Sequence, residues 1–398
     1  MNQKVTKLIL MLLAVMLPTA WGFASQKVTV IVTGQGSIVA DKSQASEGEQ
    51  VTLTISSHEG WMLKRQTLLV EQVMNTLEGD GVTITRSAAP VVGSFVPVTK
   101  RNDSTYTFTM PSRDVEVCAT FVEYVTNTAT IEAQAGGGSS TTTTDVTVDI
   151  TIENETGHVE IGHVTVPDNL ANTPIAIIIP AVVNDTDGNT YPVTSISTGA
   201  FQGNTNITDI YLPDTDKPLY IEEGASLPTI HTPLSLLDDY ALMPSLSGNY
   251  AKGKICAQAL PAHRYWTFSC GVDIELPQGV KLYIVKASNT DQQIEIVEVE
   301  DAQVIKANNG VLLACPDHGG NAFEMVVRPS VDRPSGTKPA TENAHSYSGN
   351  LLEPVIVGQH YATNAGYYIL YNNEFHPIMD EDVSCQIPAC KAVLHLSE

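Results

Sequence analysis

Cys315-Pro316-Asp317-His318-Gly319-Gly320 sets a thiol and an imidazole three residues apart on an expected turn. A nucleophilic cysteine needs a base within hydrogen-bond reach and a third group to orient that base. Zinc needs three or four ligands, and one Cys/His pair provides two. No second pair at ligand spacing lies nearby, so the motif reads as a loop. Asp185-Thr186-Asp187-Gly188-Asn189 opens like a calcium loop, since hard cations take several carboxylate and amide oxygens on a tight turn. Ile196 stands where the bidentate Glu of such a loop is required, so a glycine-containing turn feeding the strand at Tyr191 explains the same residues. Asp380-Glu381-Asp382 likewise reads as a solvated acidic turn.

Histidines such as His58, His163, His231, His263, His345 and His376 are scattered, with no H-E-x-x-H spacing. No G-x-S-x-G elbow is present, and no phosphate-cradling glycine loop opens a helix. A glycosidase carboxylate pair has no fixed spacing, but it needs a larger scaffold than small β modules provide. The sequence therefore assigns no catalytic residue, no metal site and no cofactor, and it predicts a protein that is not an enzyme.

Cysteine and aromatic side chains carry the remaining chemistry. Cys118 stands apart from Cys256, Cys270, Cys315, Cys385 and Cys390. A pairing such as Cys256 with Cys270 across a hairpin is open, beside the plainer reading of small buried side chains. Trp61 after Gly60 reads as core; Trp266, beside Tyr265 in a strand, reads as either core or an exposed ring for a glycan.

These residues must be positioned by an exported chain. Lys4 and Lys7 precede the apolar run from Leu8 to Leu17, Pro18 breaks it, and Gly22-Phe23-Ala24 supplies small residues for cleavage. That layout predicts a signal peptide over 1–24. No Cys follows the run to accept a lipid, and no later stretch is long enough to span a bilayer. The formal charge of -23 argues against binding to nucleic acid or anionic lipid.

Period-two alternation then predicts strands. Val28 to Val32, Val51 to Ile55 and Tyr106 to Met110 alternate between glycine and proline breaks. In the run that follows them, Val115, Val117, Ala119 and Phe121 share one face, which turns Cys118 away from the core. Residues 124–145, with Gly136-Gly137-Gly138-Ser139-Ser140 and Thr141 to Thr144, read as a flexible linker. Beyond it, Ile196-Ser197-Thr198-Gly199-Ala200-Phe201 recurs as Ile221-Glu222-Glu223-Gly224-Ala225-Ser226. Ile177-Ile178-Ile179-Pro180 and Ile210-Tyr211-Leu212-Pro213 recur similarly, the sign of a short solenoid. Strands return at Tyr265 to Ser269, Leu282 to Val285, Ile294 to Val299 and Val311 to Ala314.

Three resemblances follow. The order G-x-G, E-G-E-x-V-T-L, Gly60-Trp61 and T-F-T-M-P-S-R-D-V-E-V-x-A-x-F resembles the divergent internalin-type B-repeat, which implies a small β-grasp-like module without enzymatic role. Tyr191 to Ile196 with Gly199-Ala200-Phe201-Gln202-Gly203 and Ile207 to Pro213 resembles the BspA-like leucine-rich repeat of bacterial surface proteins. The C-terminal strands resemble a β-domain that follows such repeats, in which the positions of Cys315 and Cys390 are usually glycine and that of Cys270 serine.

The reading is thus mainly β: a signal peptide at 1–24, a β-grasp-like or small β domain at 25–123, a linker at 124–145, a BspA-type leucine-rich solenoid segment at 146–247 and a β-sandwich-like domain at 248–398. It implies a secreted or cell-surface adhesin that binds a host matrix or cell-surface protein, or another bacterial surface protein. The periplasm is an alternative location. The expected binding face lies around Thr194, Tyr211 and Tyr220. A carbohydrate-binding module of a nutrient-capture system and a structural spacer are the alternatives.

Overall fold

A computed structural model describes residues 25–73, 76–78, 81–83, 95–137, 140–222, 227–261, 263–288, 293–314, 322–329, 347–362, 365–379 and 386–396. The chain is mainly β. It forms two units, one running up to Val125 and including Glu153–Glu155, the other made of Thr126–Ile152 and the residues from Thr156.

The first unit contains β1 (Gln26–Thr33), β2 (Gly36–Ala40), β3 (Gln44–Ala45), β4 (Gln50–Ser57), β5 (Trp61–Leu63) and β6 (Leu69–Gln72). It continues with β7 (Thr76–Glu78), β8 (Gly81–Thr83), β9 (Val98–Asn102), β10 (Thr105–Thr109) and the first half of β11 (Val115–Gly137). One sheet has the order β2-β4-β10-β9. In the other, β1 runs parallel to β11, while β5 and β6 run antiparallel to it. The alternation dictates the inward face: Val51, Leu53 and Ile55 of β4 meet Phe108 of β10 and Val115, Val117, Ala119 and Phe121 of β11 in one core. Trp61 packs against that core, as its sequence position predicts. Among the described residues this unit has no helix.

The second unit takes the rest of β11 and β12 (Ser140–Glu153), so the segment expected as a flexible linker is strand wherever it is described. The reason lies in its period rather than its composition. Ala129, Ile131, Ala133 and Ala135 are buried at every second position, and Val146, Val148, Ile150 and Ile152 do the same in β12. Small side chains that suggest flexibility here form an inward face.

After them come β13 (Val159–Thr165), β14 (Ile175–Ile178), β15 (Val182–Asn184), β16 (Thr190–Ile196), β17 (Ile207–Tyr211), β18 (Tyr220–Ile221) and β19 (Thr229–Thr232). Two short helices, α1 (Leu237–Leu242) and α2 (Ser247–Ala251), lead to β20 (Ile255–Ala259). The strands stack in two parallel ladders. In one, Ile161 pairs with Ile196 and Ile196 with Ile221. In the other, Ile177, Ile210, Ile230 and Ile255 stand in consecutive register. All seven isoleucines are buried. Each contributes about 1.5–3 kcal/mol relative to exposure, which pins the register, since a one-residue slip would turn the whole column outward.

The remaining strands are β21 (Tyr265–Phe268), β22 (Ile274–Glu275), β23 (Lys281–Ala287), β24 (Ile294–Glu298), β25 (Val304–Ile305), β26 (Val311–Ala314) and β27 (Phe323–Val326). They are followed by β28 (Leu352–Val355), β29 (Gln359–His360), β30 (Tyr367–Tyr371), β31 (Glu374–Pro377), β32 (Gln386–Ile387) and β33 (Lys391–His395). Two four-stranded sheets, β21-β26-β23-β24 and β28-β33-β30-β31, share a core of Val285, Leu312, Leu352, Ala392 and Leu394. β27 instead pairs antiparallel with β20 and extends the second ladder.

Candidate functional site

Adjacent residues of a strand point to opposite faces, so the isoleucine column has a second column beside it. Tyr211 pairs with His231, His231 with Cys256 and Cys256 with Val326. Asp209 lies two residues before Tyr211, and Glu324 two before Val326, so both side chains share this face. The stacking of β17, β19, β20 and β27 thus assembles Asp209, Tyr211, His231, Cys256 and Glu324 from four separate stretches of chain.

His231 is the hub. Its Nε2 lies 2.8 Å from Asp209 Oδ1. A carboxylate accepts only, so Nε2 is the donor of this bond. Nδ1 faces Cys256 Sγ at 3.3 Å and Glu324 Oε1 at 3.6 Å. The Tyr211 ring stacks on the imidazole, with centroids 4.2 Å apart and planes 10° from parallel. Cys256 Sγ also donates weakly to the Ile230 carbonyl at 3.5 Å.

Burial, reinforced by the carboxylates of Glu324 and Asp209, pushes the Cys256 thiol up. Burial also pushes the Tyr211 hydroxyl up, with Asp209 next in effect. The row from sulfur through imidazole to carboxylate has the order of a cysteine nucleophile with its base and orienting group. Its electrostatics oppose that use, because reactive cysteines sit in electropositive, partly exposed surroundings. Cys256 is 2% exposed and faces carboxylates.

The three side chains predicted as a binding face are not brought together. Thr194 lies on β16, half-buried, and its hydroxyl donates to the Val159 carbonyl at 3.3 Å. Tyr220, exposed on β18, belongs to the same ladder. Tyr211 belongs to the other ladder and is engaged by His231.

Other sequence expectations have structural answers. Asp185 Oδ1 accepts the amides of Asp187 at 3.0 Å and Asn189 at 2.8 Å, and its Oδ2 accepts the Asn189 side chain at 3.0 Å. The carboxylate is thus occupied by the turn. Cys256 and Cys270 are not bonded to each other, because Cys270 Sγ donates to the buried Asp238 at 2.7 Å. Trp266 packs beside the core, stacked with Phe323. Cys390 has φ 60, a left-handed backbone region that favours glycine. Residues 1–24, Gly224-Ala225-Ser226, Cys315 to Gly320, Asp380-Glu381-Asp382 and Cys385 lie outside the described residues.

Motif spacing does not mark the His231 cluster: that histidine reads as scattered, and Cys256 as a disulfide partner or a small buried side chain. The signal was present in the repeat itself: aligning ITDIY, TIHT and ICAQ on their isoleucines sets Tyr211, His231 and Cys256 side by side.

Comparison with known families gives one match, the divergent InlB B-repeat domain, over residues 75–124. That span covers β7 to the early part of β11, including the T-F-T-M-P-S-R-D ending. It leaves out Gly34-Gln35-Gly36 and the E-G-E segment. Residues 75–124 are therefore similar to a bacterial repeat domain. Nothing in the comparisons supports a BspA leucine-rich repeat, and no solenoid is detected among the described residues. No curated protein and no solved structure matches the chain. Among the described residues, no helix is long and apolar enough to cross a membrane.

Proposed function

We propose that this chain is an exported bacterial surface protein that binds a host matrix or cell-surface protein, or another bacterial surface protein, without catalysing a reaction. The observation that carries the reading is the B-repeat match at residues 75–124, whose family is typically surface-associated. The second unit is consistent with a binding role. Its parallel ladders hold aromatic and polar side chains on a rigid sheet face, where preorganisation limits the entropy lost on binding. Tyr220 is the exposed aromatic on one ladder and Tyr211 the half-buried one on the other.

The test is binding of the purified chain to immobilised matrix proteins and to epithelial cells, beside Tyr211→Ala and Tyr220→Ala. Saturable binding weakened tenfold or more by either substitution supports adhesion through the ladders. Absence of saturable binding overturns the host-adhesin reading. A response confined to an oligosaccharide panel replaces it with glycan capture.

A further inference from the structure

We propose that His231, Cys256 and Glu324 form a binding site for a zinc-type divalent transition-metal ion, with Asp209 as the positioning residue that sets the imidazole tautomer. The site is independent of the adhesin reading, because it rests on side-chain geometry inside one ladder.

Distance is the first argument. Ligand bonds of about 2.3 Å for sulfur and about 2.0–2.2 Å for nitrogen and oxygen, at tetrahedral angles, place sulfur about 3.6 Å from nitrogen and nitrogen about 3.4 Å from oxygen. The corresponding separations here are 3.3 Å and 3.6 Å. All three donor atoms lie within 4.8 Å of one another. The sulfur–nitrogen and nitrogen–oxygen separations thus each lie within a few tenths of an ångström of the values a shared ion requires.

Orientation is the second. A metal-binding histidine characteristically donates its other ring N–H to a carboxylate, which fixes tautomer and ring plane. Asp209 does this to Nε2 and leaves Nδ1 aimed at the sulfur and the Glu324 oxygen. The Tyr211 ring, stacked on the imidazole, restricts rotation of the ring.

Donor chemistry is the third. Thiolate and imidazole select zinc or copper over calcium and magnesium, which take oxygen ligands. Binding replaces the S–H bond by an S–metal bond and releases the proton to solvent. One thiolate and one carboxylate then balance the two charges of the ion, and buried charges are tolerated when they are paired or bound to a metal. Three protein ligands leave a fourth position for water or for a donor from a bound partner. Glu324, the most exposed of the three, marks the solvent side.

The test uses the full chain, freed of metal by a chelator and titrated with Co(II). The expected result is one equivalent of saturable binding with a thiolate-to-cobalt charge-transfer band, bleached by one equivalent of Zn(II). Cys256→Ser and His231→Ala abolish the band, Cys118→Ser leaves it, and Asp209→Asn keeps it while weakening affinity about 10–100-fold. Far-UV circular dichroism shows whether each variant is folded. Independently of any variant, Zn(II) must raise the Tm of the wild-type chain. Absence of a charge-transfer band in the wild type, persistence of the band in folded Cys256→Ser, or an unchanged Tm in the presence of Zn(II) overturns the proposal.

Discussion

Tyr240 is wholly buried on α1, and its hydroxyl accepts the Leu219 amide at 2.8 Å, one residue before the exposed Tyr220. Tyr240→Phe keeps the ring and removes the acceptor, stranding a buried N–H. The expected cost is about 1–3 kcal/mol at pH 7, the desolvation penalty of one orphaned donor. The same substitution has a pH signature. Burial pushes the hydroxyl from 10.0 to about 12, the Leu219 amide works in the opposite sense, and the Asp239 charge adds a smaller rise. A folded value above the unfolded one means that Tyr240 contributes fully below pH 10, and that this contribution is lost as pH rises through about 12. The gap corresponds to about 3 kcal/mol, to order of magnitude. Wild type is therefore more stable than Tyr240→Phe at pH 7, and the difference shrinks above pH 10 and approaches zero or changes sign near pH 12. Urea unfolding at pH 7, 9 and 11, with hydrogen exchange at the Leu219 amide, measures both parts. A stability difference that does not change with pH, or a Leu219 amide exchanging at the wild-type rate in the variant, refutes the reasoning.

Two further substitutions test the backbone geometry. Gly34 has φ 85, and a Cβ there would collide with the Phe121 carbonyl, so Gly34→Ala is expected to destabilise the first unit by more than about 1 kcal/mol in thermal unfolding. Cys390→Gly relieves a left-handed backbone but loses a buried side chain and its 3.0 Å contact with the Leu234 carbonyl, so its stability should stay within about 1 kcal/mol of wild type. Cys390→Val, β-branched at the same φ, should lose about 1–3 kcal/mol; equal stability of the glycine and valine variants would remove the backbone argument.

Legibility differed by the kind of signal. The inward face of β11, from Val115 to Phe121, could be read directly because alternation and burial are the same fact in a half-buried strand. At 124–145 the glycine, serine and threonine content and the strand period point in opposite directions, and the period prevails. Ala129, Ile131, Ala133 and Ala135 still alternate, and a small side chain is sufficient where strands approach closely. The helices α1 and α2 carry little local signal; both are short, and Leu237, Tyr240 and Leu242 of α1 and Tyr250 of α2 are held by the core rather than by any strong local preference.

By itself the sequence determined the β character, the buried faces of the strands and the repeat that brings Ile196 beside Ile221. Those properties follow from local period and from the cost of exposing apolar side chains. Only the tertiary structure decided the chemistry. Asp209, His231, Cys256 and Glu324 are far apart along the chain and share no motif spacing. They meet because parallel stacking sets β17, β19 and β20 in consecutive register and β27 closes on β20. Register is a property of paired strands, and no single strand encodes it.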